Sequence, residues 1–151
     1  MAPNPDLDGI YNFFLLNDRI ASAGQPTADE FTAVQKAGYH VVINLATTDS
    51  TQALLNERGI VGELGLDYVH IPVVWNAPQR RDFNKFHEVM QAYNGRHVFV
   101  HCIANMRVSA FLYLYQRSIG LPEEDARQIL DAIWQPNPTW QQFIDEVLAD
   151  L

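Results

Sequence analysis

The sequence predicts a single α/β domain, a mostly parallel central sheet of about four to five strands flanked by helices. Two observations carry this expectation. Short apolar, β-branched runs recur along the chain, and most are followed by a segment with apolar residues at helical spacing. The length, 151 residues, suits one domain of ordinary size with its own core.

The elements come in this order. Residues 1–9, rich in Pro, Asn and Asp, read as a loose N-terminal arm, and 10–151 as the domain. Ile20 to Gly24 is a short strand ending at a turn. Thr27-Ala28-Asp29-Glu30 is a capping box that opens a helix, with Phe31 and Val34 on one face and Gly38 at its end. His40 to Leu45 is a mostly apolar central strand. Gln52 to Leu64 reads as a helix interrupted near Gly59, and Tyr68 to Val73 as a strand that Pro72 assigns to a sheet end or edge. Phe83, Phe86, Met90 and Tyr93 share a helical face, stopped by Asn94-Gly95. His97 to Val100 is the fourth strand and delivers His101-Cys102 to its C-terminal end. From about Arg107 the pattern is helical again through Val108, Phe111, Leu112 and Tyr115. Gly120-Leu121-Pro122 and Pro136-Asn137-Pro138 then separate two further amphipathic helices.

Composition removes several functional classes. One cysteine excludes an intramolecular disulfide and a multi-cysteine metal site. No apolar run approaches the roughly 20 residues that span a bilayer, and no secretory signal is visible, so the expected compartment is the cytoplasm, without a membrane partner. The net charge of −8 argues against nucleic acid as a ligand, because a phosphate backbone needs a basic footprint. It leaves room for one small anion held by local groups.

The chemistry concentrates at Val98-Phe99-Val100-His101-Cys102-Ile103-Ala104-Asn105-Met106-Arg107-Val108-Ser109. A strand end, a short loop and a helix start place backbone amides and the positive end of a helix dipole around the thiol. Such a field, with Arg107 nearby, favours the thiolate, and a thiolate beneath an anion cradle suits attack on phosphorus. The competing reading of a lone cysteine is a small buried hydrophobe. The adjacent His, the loop context and the following Arg favour the anion-handling thiol.

This segment resembles the protein tyrosine and dual-specificity phosphatases, whose signature is His-Cys, five residues, Arg, then Ser or Thr. More closely, the chain resembles the small bacterial phosphatase-like domains called DUF442 or beta-lactamase-hydrolase-like. The likeness extends through Ala21-Ser22-Ala23-Gly24-Gln25-Pro26, Val42-Ile43-Asn44-Leu45, Tyr68 to Val73 and Trp134-Gln135-Pro136-Asn137-Pro138. It implies a cysteine-phosphatase-like fold, Cys102 as nucleophile, Arg107 as oxyanion ligand and Ser109 as the group that stabilises the departing thiolate. Ile103, Ala104, Asn105, Met106 and Val108 would complete the phosphate-binding loop, with His101 bracing it. Asn44 and Gln25 are supporting candidates at neighbouring strand ends. No metal or organic cofactor is implied, and the partner would be a small phosphorylated substrate.

Two departures stand out. Only four residues separate Cys102 from Arg107. Either the loop is one residue short, a length that resembles a rhodanese sulfurtransferase loop, or it keeps its length. In the second, preferred register Asn105 takes the usual Gly position, Ser109 the Ser/Thr position and Val108 the Arg position, so that Arg107 sits one residue early. That shift rotates a helical side chain by about 100°. Second, the phosphatases carry an Asp general acid on a loop about 30 residues before the Cys, a group worth about 10²–10⁴ in rate. Here that region reads Val73-Val74-Trp75-Asn76-Ala77-Pro78, and Asp82 is the nearest, weak candidate, better placed to serve the next helix start. Three functions therefore compete: a Cys-dependent phosphatase, a sulfurtransferase working through a Cys102 persulfide, and a phosphate-binding module without turnover. The five histidines suggest a metal site only weakly, and Trp75 reads equally as pocket wall or rim aromatic.

Overall fold

A computed structural model describes residues 5–151. Five strands form one sheet in the order β1-β2-β5-β3-β4: β1 (Phe14–Leu15), β2 (Ile20–Ala23), β3 (Val41–Asn44), β4 (Asp67–His70) and β5 (Val98–His101). All neighbours pair in parallel except the β1–β2 edge, which is antiparallel. β5 is the central strand, its register set by Ala23 and Asn44 on either side of His101.

Strands β2, β3 and β5 are buried along their whole length, as expected of a sheet covered on both faces. Their side chains alternate between two cores. Val41, Ile43, Val98 and Val100 face α4 (Arg80–Ala92), α5 (Met106–Ser118), α7 (Gln128–Ile133) and α8 (Pro138–Ala149). Ala21, Val42 and Phe99 face the opposite side, with α1 (Pro5–Asp8), α2 (Ala28–Lys36) and α3 (Glu57–Glu63). This parity has a functional consequence. His101 falls in phase with Phe99 and meets Phe31 of α2, whereas Cys102 joins the core beneath α5.

α2 opens with the full Thr27–Glu30 capping box and buries Phe31 and Val34. α5 is buried nearly all round, which makes it the helical spine of its layer. α6 (Glu123–Ala126) and α7 close its far end, and α8 starts at an Asn137 cap whose side chain accepts from the Trp140 amide.

The structure differs from the sequence reading in several places. Residues 1–4 of the expected arm lie outside the described residues. Residues 5–8 are helical, and Leu7 and Ile10 are buried against the α2 side, so this stretch is anchored by apolar contact. β1 has no counterpart in the sequence pattern, because two residues carry no readable period. α3 starts at Glu57, not Gln52, because Asn56 takes a left-handed conformation (φ 58°) that a helix cannot continue through. Gly59 lies within α3 rather than interrupting it; a Cβ there would fall 2.7 Å from the Asn56 side chain. β4 ends at His70, although Ile71 and Val73 still donate to Asn44 and Leu45 carbonyls on either side of Pro72.

Candidate active site at the end of the central strand

The cysteine loop runs between β5 and α5 and is tied down on three sides. The Gln25 amide donates to the Ile103 carbonyl (3.0 Å), and the Asn12 side chain donates to the Ala104 carbonyl (3.0 Å). Asn105 returns the contact, its Nδ2 donating to the Asn12 carbonyl (2.8 Å) and to Ser22 Oγ (3.0 Å). Asn105 itself sits in the left-handed region (φ 64°, ψ 3°), the conformation that asparagine tolerates better than most residues. Gly24 faces the loop so closely that a Cβ would lie 2.5 Å from the Ile103 carbonyl oxygen and 2.7 Å from the Tyr11 ring. Only glycine fits between them.

Cys102 is 1% exposed and forms part of the wall of a cavity of about 230 Å³ with Arg107, Met106, Trp75, Ser50 and the Ile103–Ala104 edge. The amides of Met106, Arg107 and Val108, in the first turn of α5, have no backbone acceptor among the described residues. They supply the positive end of the α5 dipole beside the thiol. Val108 is fully buried in the core, so the position at which the resemblance puts the guanidinium is apolar. Among the described residues, Arg107 is the one cation lining the cavity. Its Nη1 donates to the Val73 carbonyl (2.9 Å), and its guanidinium lies 5.9 Å from the centroid of the Trp75 ring.

Trp75 is thus a wall of the cavity. Its ring is held by Trp134 (5.4 Å between centroids) and Trp140 (5.8 Å), and its carbonyl accepts from Trp140 Nε1 (2.9 Å). Ser109 is buried, but its hydroxyl donates to the Met106 carbonyl (2.8 Å) and accepts from Trp134 Nε1 (3.0 Å). A role toward the thiolate requires it to give up the Met106 bond. No carboxylate among the described residues lines the cavity. Asp82 lies in the first turn of α4 and not at the cavity wall; burial raises its carboxyl above the ordinary value, against the lowering by a Gln79 backbone hydrogen bond and by Arg81. Arg80 is committed to Asp150 at the surface (2.6 Å) and adds nothing to the site.

Behind the thiol lies a buried polar network in which the supporting candidates His101, Gln25 and Asn44 meet Glu57 and Tyr68, two residues that sequence reasoning missed. His101 is fully buried, with Nε2 2.7 Å from Glu57 Oε2 and Nδ1 3.0 Å from the Cys102 carbonyl. Both ring nitrogens lie within hydrogen-bond distance of an oxygen, so the ring links the Glu57 carboxylate to the Cys102 backbone. Glu57 also accepts from Tyr68 OH (3.0 Å) and Gln25 Nε2 (2.8 Å). Asn44 Nδ2 donates to Tyr68 OH (3.0 Å), while Asn44 Oδ1 accepts from the Ala46 amide. Burial pushes the Glu57 carboxyl up, but the hydrogen bond and charge of His101, with the Gln25 and Tyr68 hydrogen bonds, bring it below its ordinary value. Burial raises the Tyr68 hydroxyl far above its ordinary range, and Glu57 adds to the rise. Gln25 and Asn44 therefore serve this network rather than the cavity.

Among the described residues no cluster of histidine, cysteine and carboxylate side chains could hold a metal ion. His97 and His101 are four apart, a spacing that spreads two residues about 13 Å along an extended strand. His40 accepts from the His97 amide and His70 contacts the Ala46 carbonyl. No helix among the described residues is long and apolar enough to cross a membrane.

Comparison with known proteins places the fold and the family. Over 121 residues the chain is 30% identical to a beta-lactamase hydrolase-like protein of Xylella fastidiosa (strain Temecula1), covering 78% of this chain but about a quarter (27%) of that relative's length. The crystal structure of a DUF442 protein from Shewanella putrefaciens CN-32 superposes with a TM-score of 0.86 at 35% identity, covering 96% of both chains. The active form of Tk-PTP shares the fold, with a TM-score of 0.72 at 18% identity over 93% of this chain and 95% of its own. The family model for a DSP-PTPase phosphatase fused to NAD+ kinase matches residues 16–132, and the chain belongs to that phosphatase family.

Proposed function

We propose that the chain is a Cys-dependent phosphomonoester hydrolase. The observation that carries this reading is the shared cavity of Cys102 and Arg107 under the first turn of α5. The Cys102 thiolate attacks phosphorus, an S–P bond forms, and the P–O bond to the leaving group breaks. Amides of Ile103 to Val108 and the Arg107 guanidinium hold the equatorial oxygens. Water then attacks the same phosphorus, releasing inorganic phosphate and returning the thiolate. With no carboxylate at the described wall, the leaving oxygen takes its proton from water, so turnover favours phenols, whose anions leave unaided. Asp82 reaches a role as acid only if the start of α4 moves. The reaction calls for no metal or organic cofactor, and its compartment is proposed to be the bacterial cytoplasm.

The test is hydrolysis of phenyl phosphate by purified protein. Cys102→Ser should abolish turnover, whereas turnover that survives this substitution would refute the covalent route.

One observation favours a second reading. A cavity with a thiol, one guanidinium and no acid also suits sulfur transfer, which needs no protonated leaving group. In that case thiosulfate delivers its outer sulfur to Cys102, sulfite leaves, and cyanide removes the sulfur as thiocyanate. Intact mass after thiosulfate treatment separates the two, since only sulfur transfer adds one sulfur atom to the chain. Binding of vanadate without either activity would identify a phosphate-binding module.

A further inference from the structure

The loop that holds the thiol also forms the wall of a second, larger space. A groove of about 790 Å³ is bounded by Tyr11, Pro26, Ala53, Leu54 and Leu55, and it shares Ile103 and Ala104 with the Cys102 cavity. A second boundary is nearly continuous as well, because Ser50 lines the cavity and Gln52 to Leu55 line the groove along one connecting segment. None of the groove's described lining residues carries a charge. Leu55 is 88% exposed and Tyr11 60%, in a protein that otherwise buries most of its large apolar side chains. The volume lies in the range of sites that hold a small organic molecule.

We propose that this groove seats the leaving group of the substrate, and that the substrate is a phosphomonoester of an uncharged, apolar alcohol or phenol. The inference rests on the phosphomonoester reading of Cys102 and extends it to substrate class. A phosphoryl group over Cys102 directs its ester oxygen across the Ile103–Ala104 edge, and the organic group beyond that oxygen meets an uncharged wall in which Tyr11, Pro26, Ala53, Leu54 and Leu55 outnumber the polar Gln25, Thr27 and Gln52. A second phosphate or a carboxylate on that arm finds no cation among the groove's described residues, and the net charge of −8 repels it further. An alkyl or aryl group there is removed from water against Leu54, Leu55 and Tyr11, and each buried methylene strengthens binding by about fourfold.

The experiment compares three non-hydrolysable probes on the wild-type protein by calorimetry: phenylphosphonate, 4-butylphenylphosphonate and 4-carboxyphenylphosphonate. The butyl compound should bind at least tenfold tighter than phenylphosphonate, and the carboxylate no tighter. In Leu55→Asp the advantage of the butyl compound should shrink at least fivefold. Equal affinity of the butyl and phenyl compounds, or tighter binding of the carboxylate, would overturn the groove assignment alone. Failure of all three to bind would overturn the anion site on which it rests, and the groove with it. Preferential binding of the butyl compound without hydrolysis of 4-butylphenyl phosphate would support the groove while refuting the catalytic reading.

Discussion

Glu57 Oε2 lies 2.7 Å from His101 Nε2, and the other nitrogen of the same ring meets the carbonyl of Cys102. The carboxylate therefore fixes the Cys102 backbone from behind, through one imidazole. Removing one partner of a buried pair leaves the other uncompensated, at a cost of about 3–5 kcal/mol. Glu57→Ala should lower unfolding stability by about 3 kcal/mol in urea melts, and Glu57→Gln, which can still accept from Tyr68 and His101, by less. A loss below about 1 kcal/mol for the alanine variant would mean that the pair holds nothing together.

The same carboxylate gives a pH signature. Its value in the folded protein lies below the ordinary one, so its contribution to stability is complete above the ordinary carboxylate value. It is lost as pH falls through the depressed folded value. Urea midpoints measured from about pH 6 down to about pH 3 should fall, and the Glu57→Gln variant should show a shallower acid limb over that window. Parallel limbs in the two proteins would sink the assignment.

The sequence made Cys102 and its loop visible because the strand end, turn and helix start that present them are contiguous. A buried β-branched run, a His-Cys pair, an asparagine at the turn and a helix start are contiguous from Val98 to Ser109. The capping box of α2 was legible for the same reason. Glu57 was not legible, because it meets His101 across 44 positions and only the parity of β5 directs that ring toward α3. Trp134 stands out in the sequence only for its place in a motif; its bond to the Ser109 hydroxyl arises from the packing of α7 against α5. Their positions at neighbouring strand ends put Gln25 and Asn44 near the cleft, but the partners they take up are Glu57 and Tyr68.

The Arg107 guanidinium has two fixed contacts, the Val73 carbonyl and the Trp75 ring. They hold a side chain that starts one residue away from the phosphatase position, and a lysine cannot reproduce the planar fork that makes both. Arg107→Lys should weaken vanadate binding at least tenfold. Trp75→Ala, which removes only the ring contact, should weaken it by about fivefold, the equivalent of about 1 kcal/mol. Unchanged vanadate affinity in both variants would place Arg107 outside the anion site.

Gly24 offers a purely steric test of the loop. An added Cβ at 2.5 Å from the Ile103 carbonyl oxygen must displace backbone, not a flexible side-chain end. Gly24→Ala should cost about 1–3 kcal/mol of stability and lower turnover further than that loss of folded protein explains. A stable, fully active variant would show that the β2 end and the cysteine loop are free to separate.

Asn105 combines a conformational and a bonding role, since its backbone needs the left-handed region and its side chain ties Asn12 and Ser22 to the loop. Asn105→Gly keeps the backbone freedom and loses both hydrogen bonds; Asn105→Ala loses both and adds strain, because a Cβ-bearing residue without a local polar partner resists positive φ. The alanine variant should therefore be less stable than the glycine variant, by about 1 kcal/mol in chemical denaturation. If the order is reversed, the φ angle is not what requires asparagine at the start of α5. The vanadate affinity of the glycine variant then separates two roles of the Asn12–Asn105 pair. An affinity preserved within about twofold means that the pair only stabilises the loop, and a larger loss means that it also sets the angle at which the α5 amides meet the anion.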